Sequence, residues 1–218
     1  MSELLVDFIT SLDGYGAAEG WPGWWGLEGP EYLGWLDEQP ESAYTLLMGA
    51  NTYELMSGFA AQFESESSDT EEGASFDELT AASKVVFSST LQTPLSWANT
   101  RLVKGDAVET VEDMKREGVS MRTIGSLTLC RSLLTAGLVD RFRLVVFPVI
   151  TGATGRDRIY DGYPDVALEM VASQTFDGRL QLLEYIPTVL AGPPGQTYLI
   201  ENPILRLSAR LGSKARNA

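Results

Sequence analysis

Two short stretches join glycine to small polar residues where a strand pattern gives way to a helix pattern: Gly49-Ala50-Asn51-Thr52 and Gly125-Ser126-Leu127-Thr128. A helix starts with amides that no carbonyl of its own can take, and its dipole adds positive character there. Such an end is either capped by a side chain or holds an anion such as phosphate, and the residues leave both readings open at Gly125-Ser126. Asn51 and Glu54 have the spacing of a capping box as well. The remaining groups with chemical reach are Asp13 at the end of a first strand, the helix acids Glu31, Asp37 and Glu38, and the phenol of Tyr53. Asp13 suits closure of a turn as well as contact with a substrate, and the helix acids suit a solvated face. The chain has no His and one Cys. Imidazole acid–base chemistry, the Ser-His-Asp triad, His-based zinc and an internal disulfide are therefore excluded, and no metal site is expected. A proton must come from carboxyl, Tyr, Lys or water, and burial against tryptophan would raise a carboxyl toward neutrality. Cys130, beside Leu129 on a helix pattern, reads as core.

The elements that position these groups follow from periodicity and punctuation. Leu4 to Thr10 reads as a buried strand closed by Ser11-Leu12-Asp13-Gly14. Gly14 to Pro30 holds Trp21, Trp24 and Trp25 among six glycines, too Gly-rich for a helix, and reads as a lid or pocket rim; core or interface aromatics are the alternative. Pro30 opens a helix to about Gln39 with Tyr32, Leu33 and Leu36 on one face. Tyr44–Met48, Val85–Phe87, Arg101–Val103 and Met121–Ile124 read as short strands, with helices after Gly49, from Val108 to Glu117, and from Leu127 to a Gly137 cap. That alternation implies a largely parallel sheet with helices on its faces. Asp140–Ile150 is a further strand, and Val166–Phe176 and Arg179–Ile186 flank Asp177-Gly178, a strong hairpin signal, so the sheet should finish antiparallel. Phe63 to Ser75 reads as an acidic surface loop.

The 218 residues suit one domain that needs no disulfide or metal staple. No apolar run approaches the length of a membrane helix, and a soluble cytoplasmic protein is expected. Net charge is −14, which argues against a nucleic-acid partner. Residues 1 to 83 carry 17 acids and no base, whereas residues 84 to 218 carry all 16 bases and 13 acids, so a cationic anion site must draw on the second part. Beyond Pro187 the pattern weakens into a tail with Arg206, Arg210, Lys214 and Arg216.

In chain order, SLDG at Ser11–Gly14, MGANTYE at Met48–Glu54, VVFSSTL at Val85–Leu91, WANTRLVKGD at Trp97–Asp106 and the long run from Ile124 to Gly152 resemble the dihydrofolate-reductase-like family that includes the C-terminal reductase domain of the riboflavin-biosynthesis deaminase/reductase. The resemblance spans roughly residues 4 to 186. It implies a three-layer α/β domain over residues 1–186, with a central mixed, mostly parallel sheet of about eight strands ending in an antiparallel hairpin, and a C-terminal extension over 187–218. It further implies NADPH or NADH beside a small heterocyclic or carbonyl substrate, hydride transfer between them, and a homodimer. Residue by residue, Gly125, Ser126, Leu127 and Thr128 would meet the cofactor pyrophosphate, with Gly49, Ala50 and Thr52 as the second junction. Ser88, Ser89, Thr90 and Leu91 would lie along the adenosine ribose. Phe8 and Ile124 would line the nicotinamide and substrate cleft, and Asp13 would sit at the strand end where substrate meets the lid. From the residues themselves, Trp21, Trp24 and Trp25 are candidate substrate-pocket aromatics, and Asp13 and Tyr53 are the candidate catalytic groups.

Two departures bear on the phosphates. Ala50 and Ser89 stand where the family commonly carries arginine. A guanidinium is hard to replace with a hydroxyl, and Lys84, Arg101, Lys104 and Arg131 are the candidate substitutes. The alternative function is the same fold used without nicotinamide as a tailoring enzyme for cyclisation or rearrangement, with an aromatic-lined pocket; a non-catalytic binding protein is the third.

Overall fold

The computed structural model describes residues 2–20, 25–38, 43–65 and 77–194, with the backbone alone at 63–65. Trp21, Trp24, most of the acidic loop and the basic tail lie outside the described residues. The chain runs β1 (Leu4–Ser11), β2 (Tyr15–Ala18), α1 (Pro30–Asp37), β3 (Thr45–Gly49), α2 (Ala50–Ser65), β4 (Lys84–Phe87), β5 (Thr100–Val103), α3 (Ala107–Arg116), β6 (Met121–Thr123), α4 (Leu127–Thr135), β7 (Arg141–Phe147), β8 (Gly155–Arg158), β9 (Val166–Phe176) and β10 (Leu180–Val189).

Eight strands form one sheet in the order β5-β4-β3-β6-β1-β7-β10-β9. It is parallel from β5 through β7, and β10 and β9 then run antiparallel. This is the mixed, mostly parallel sheet expected, closed by the expected hairpin. Its turn residues Asp177 and Gly178 both take positive φ, 51° and 65°, the twist that joins antiparallel strands in a two-residue loop. Strand β10 runs to Val189, past the expected end of the last strand at Ile186.

Alternation along β1 explains the layers. Leu4, Val6 and Phe8 pack with Val111 and Met114 of α3 and with Leu129, Cys130, Leu133 and Leu134 of α4 on one face. On the other face Leu46, Met48 and Val86 meet Tyr53 and Ala60 of α2, and Val145, Phe147 and Leu182 meet Tyr32 of α1. The result is three layers, helix on sheet on helix. Helix α3 starts at Asp106, whose Oδ1 accepts from the amides of Val108 and Glu109 at 2.7 and 3.3 Å, and ends on Lys115 and Arg116, which suit the negative end of the dipole.

Two local expectations are corrected. Leu33 is exposed; Tyr32, Trp35 and Leu36 are the residues of α1 that pack inward, because the helix is seated by the hairpin turn. Asp177 accepts from the amides of Glu31 and Tyr32 at 3.1 and 3.2 Å, and the Glu31 carboxylate accepts from the Asp177 amide at 2.5 Å. This is a cap supplied across 146 residues of chain. Asn51 lies inside α2, which begins at Ala50, and is no cap. The glycine-rich segment contains a strand: β2 pairs with β8 as a separate two-stranded flap, Ala17 opposite Arg156. No helix among the described residues is long and apolar enough to cross a membrane.

Candidate functional site

After β3 the chain steps outward to β4 and β5, then returns through α3 to place β6 on the opposite side of β3. The direction of winding therefore reverses between β3 and β6. In open α/β sheets the crevice beyond the strand ends at such a reversal is where ligands bind, since two loops diverge there. Both glycine junctions sit at this point, Gly49 ending β3 and Gly125-Ser126 following β6.

Ser126 ties them together. Its Oγ accepts from the Gly49 amide at 2.5 Å and lies 2.8 Å from Thr52 Oγ1. To do so Ser126 takes φ 65°, a left-handed conformation costly for a residue with a Cβ. It gives no side-chain cap to α4, so the first-turn amides of α4 are not closed by the residue best placed to close them. The two glycines are favoured for different reasons: a Cβ on Gly49 would lie only 3.0 Å from Ser126 Oγ, whereas Gly125 takes φ 56°, in the left-handed region. The simple reading of Gly-Ser as an N-cap is thus corrected, because the serine crosses to the other junction.

A cleft of about 1450 Å³ opens here. It is lined by Gly49, Ala50 and Thr52, by Gly125, Ser126, Leu127 and Thr128, and by Phe8 and Ile124. The flap contributes Gly16 to Gly20 together with Arg156 and Asp157 on the facing side. Of the candidate proton donors Asp13, Glu31, Asp37 and Tyr53, only Asp37, the last residue of α1, borders the cleft.

The other expected residues that the structure describes do not line this cleft. Asp13 closes a turn: it accepts from Ser11 Oγ at 2.7 Å and from the amides of Thr151 and Gly152 at 3.1 and 2.9 Å. The Ser11 hydroxyl first, then the Gly152 amide, hold its carboxyl down at about 2, so it is an anchored carboxylate rather than a proton donor. The buried Tyr53 hydroxyl accepts from the amides of Ser96 and Trp97 at 2.9 and 3.2 Å, which makes it a brace for that loop. Glu31 is spent on the hairpin turn. Trp25 packs on Phe147 at 5.5 Å between ring centres, beneath α1 rather than in the cleft. Ser88 organises its own turn, accepting from the amides of Thr90 and Leu91 at 3.1 Å each, with Ser89 and Thr90 exposed just beyond the cleft wall at Phe87.

Nor are the candidate substitutes for arginine all available. Lys84 is fully buried, and its ammonium donates to the carbonyls of Leu79, Thr80 and Ala82 at 2.7, 2.8 and 2.7 Å, closing the helical turn at 77–81. Arg101 lies against Met114, and Arg131 lies beside Gly162. Lys104, following β5 next to the Ser88 turn, is exposed and donates to the neutral Gln92 amide oxygen at 3.0 Å.

One feature of the cleft has no local signal in the sequence. Asp7 of β1 is held by Arg122 of β6 and Arg143 of β7, the two strands that flank it, at 2.8 and 2.7 Å, and Arg143 lies 5.0 Å above the Trp35 ring. Burial pushes the Asp7 carboxyl up, but the two guanidinium groups outweigh it and hold it below the ordinary carboxylate value. Asp7 and Arg122 border the cleft.

The comparisons with known proteins agree with this architecture. The model of the RibD C-terminal domain family matches residues 3–182. An uncharacterized Bacillus subtilis (strain 168) protein, YyaP, is 25% identical over 183 residues, 84% of this chain and 93% of its own. A putative riboflavin biosynthesis protein from Shewanella sp. PV-4 superposes with a TM-score of 0.64 at 19% identity, over 85% of this chain and 99% of that one. The Thermotoga maritima diaminohydroxyphosphoribosylaminopyrimidine deaminase/5-amino-6-(5-phosphoribosylamino)uracil reductase superposes with a TM-score of 0.57 at 16% identity, over 86% of this chain and 57% of that longer one. With the family model covering the domain nearly end to end, the chain belongs to the RibD C-terminal domain family.

Proposed function

We propose that this protein is an NAD(P)H-dependent reductase that transfers hydride to a small heterocyclic or carbonyl substrate. The observation that carries the reading is the Ser126 bridge at the sheet's reversal point, which holds two helix starts together and leaves the α4 amides facing the cleft. The residues present fit a dinucleotide: glycines at the closest approach, helix amides for the pyrophosphate, and a volume that exceeds the few hundred to about 1000 Å³ of a single small ligand. A nicotinamide bound there would supply the hydride. The chain's own part is to hold and orient: α4 takes the pyrophosphate, Phe8 and Ile124 exclude water from the reacting ring, and Asp37 or water holds the proton. Without arginine at positions 50 and 89, discrimination between NADPH and NADH falls to Lys104 beside the Ser88 turn.

The test is titration of the purified protein with each nucleotide, following tryptophan quenching and nicotinamide fluorescence. Saturable micromolar binding supports the reading and selects the cofactor. No binding of either nucleotide at millimolar concentration overturns it and leaves nicotinamide-independent use of the cleft.

We also propose a homodimer formed through β9. This edge strand is exposed on both faces and presents Leu168, Met170 and Val171 at 45%, 55% and 40% exposure, and an unprotected apolar edge favours pairing with another strand. A dimer in sedimentation that dissociates in Met170→Lys supports this; a monomeric wild-type protein overturns it.

A further inference from the structure

We propose that Arg156, on the flap, supplies the cation that this cleft offers to a phosphate group of its ligand. The inference rests on the cleft being the binding site, as proposed above.

The charges along the lining single this residue out. Arg122 is committed to Asp7 at 2.8 Å, with both side chains nearly enclosed. Apart from that pair, the cleft is bordered by four acids, Glu19, Asp37, Glu78 and Asp157, and among the described residues by one base, Arg156. Ala50 and Ser89 bring no charge, and Lys104 stands beyond the lining. A phosphate entering here meets helix amides on a background of carboxylates, so an accessible guanidinium decides how firmly it is held.

The backbone of the flap turns Arg156 to this use. In a regular strand, neighbouring side chains point to opposite faces, and Arg156 would face away from Asp157 and Ile159. All three border the cleft, and between them the chain at Asp157 takes φ 59°, a left-handed conformation uncommon outside glycine. The kink lets consecutive residues of β8 share one space, the kind of local strain that collects at ligand clamps. Just past β8 the chain is anchored. Ile159 is buried in the cluster that holds Leu129 and Leu133 of α4, and its amide donates to the Gly14 carbonyl at 2.9 Å. Three residues, at most about 10 Å of chain, separate Arg156 from that anchor. The guanidinium therefore belongs to the same part of the cleft as α4, whose first turn has no side-chain cap.

The present partner of Arg156 is one that a ligand can displace. Its Nη2 lies 3.6 Å from Glu19 Oε2, with 58% and 67% of the two side chains exposed. A pair this long and open contributes little, whereas a guanidinium grips phosphate through two parallel hydrogen bonds. Glu19 also borders the cleft, and its amide is tied to the Thr154 carbonyl at 2.8 Å. It thus keeps Arg156 at the cleft until a phosphate replaces it.

Calorimetric titration of the full chain tests this with two pairs of probes. ADP against adenosine reads a phosphate carried by a nucleotide cofactor, and ribose 5-phosphate against ribose reads one carried by a substrate. In wild type the phosphorylated member of at least one pair should bind at least about tenfold more tightly, the worth of one charge-assisted hydrogen bond. Arg156→Gln should lower that preference about tenfold and leave the affinity for the neutral member unchanged, and Arg156→Lys should keep part of it. Glu19→Gln should raise the preference by releasing the guanidinium, a gain that should vanish in Glu19→Gln/Arg156→Gln. No preference in either pair for wild type, or a preference unchanged in Arg156→Gln, overturns the assignment. The probes need no nicotinamide: a phosphate preference that follows Arg156 in a protein that binds neither NADPH nor NADH sinks the reductase reading and keeps this site. Binding of NADPH or NADH together with a phosphate preference indifferent to Arg156 keeps the reading and sinks the site.

Discussion

Ser126 offers a substitution pair that separates fold from function. Replacement by alanine removes the acceptor for the Gly49 amide and the partner of Thr52 Oγ1, while the left-handed backbone at φ 65° stays occupied by a residue with a Cβ. A part-buried amide left without its acceptor costs about 1–3 kcal/mol. For a domain of this size each kilocalorie shifts the melting temperature by about 2–4 °C, so Ser126→Ala should melt about 2–12 °C lower than wild type. Ser126→Gly loses the same bonds but relieves the left-handed strain, worth about 1 kcal/mol, and should recover about 2–4 °C of that loss. Both variants unpin the two junctions, so both should bind nicotinamide nucleotide about tenfold more weakly, by the loss of roughly one hydrogen bond's worth of preorganisation. Thermal unfolding followed by tryptophan fluorescence reads the first effect and nucleotide titration the second. Alanine and glycine variants with the same melting temperature as wild type and undiminished affinity would refute the claim that this bridge builds the site.

Further outcomes follow from the same geometry. Ser89→Arg should tighten NADPH about tenfold to a hundredfold while changing NADH little, since the restored charged hydrogen bond is worth about 1.5–3 kcal/mol; equal gains for both nucleotides would place the new charge away from the 2′-phosphate. Tyr53→Phe should lower stability by about 1–2 kcal/mol by stripping the Ser96 and Trp97 amides of their acceptor, with turnover unaffected in steady-state assays. Asp177→Ala should cost about 1–2 kcal/mol in denaturant unfolding, because the first turn of α1 loses its cap. Asp13 has its carboxyl depressed to about 2 from 3.8, so its stabilising contribution is complete above about pH 4 and is lost as pH falls toward 2. Asp13→Asn should therefore flatten the acid limb of the stability profile between those values; an unaltered limb would show that the turn at 151–152 does not depend on that charge.

What the chain revealed beforehand was local. The strands alternate or run apolar over short spans, the helices begin at glycine or Asp106, and Asp177-Gly178 announces its own turn, so element types and the mixed sheet were readable from neighbouring residues. The two junctions were readable for the same reason, as glycine next to a helix start is itself the feature that matters. Misassignments occurred where a side chain found its partner far along the chain. Nothing around Asp177 signals that it caps a helix 146 residues earlier, and nothing around Asp13 signals the amides of Thr151 and Gly152 that occupy it. The tryptophans among glycines suggested a lid, yet Trp25 is drawn into the core because Phe147 and the α1 layer bury more of an indole than an open rim can.

The Asp7 cluster shows how sheet order makes chemistry that residue spacing conceals. Asp7 and Arg122 are 115 residues apart, and Asp7 and Arg143 are 136 apart. Each lies in a short strand beside apolar residues, where a charge gives no sign of its partners on the neighbouring strands. Parallel pairing sets Asp7 directly beside Arg143 and places Leu5 beside Arg122, so the crossover helices α3 and α4, not any motif, bring three charges onto one face. Because a strand residue and its same-face neighbours lie two positions apart, a one-residue slip of β6 would turn Arg122 into the opposite layer and leave Asp7 with one partner. The glycine junction at Gly125 follows β6 by a single residue past Thr123. The register that sets the start of α4 is thus the same register that pairs Arg122 with Asp7 beside the cleft. The order of the strands therefore couples the Asp7 ion pairs to the glycine junction, and a substitution that shifts β6 should lower stability and weaken nucleotide binding together.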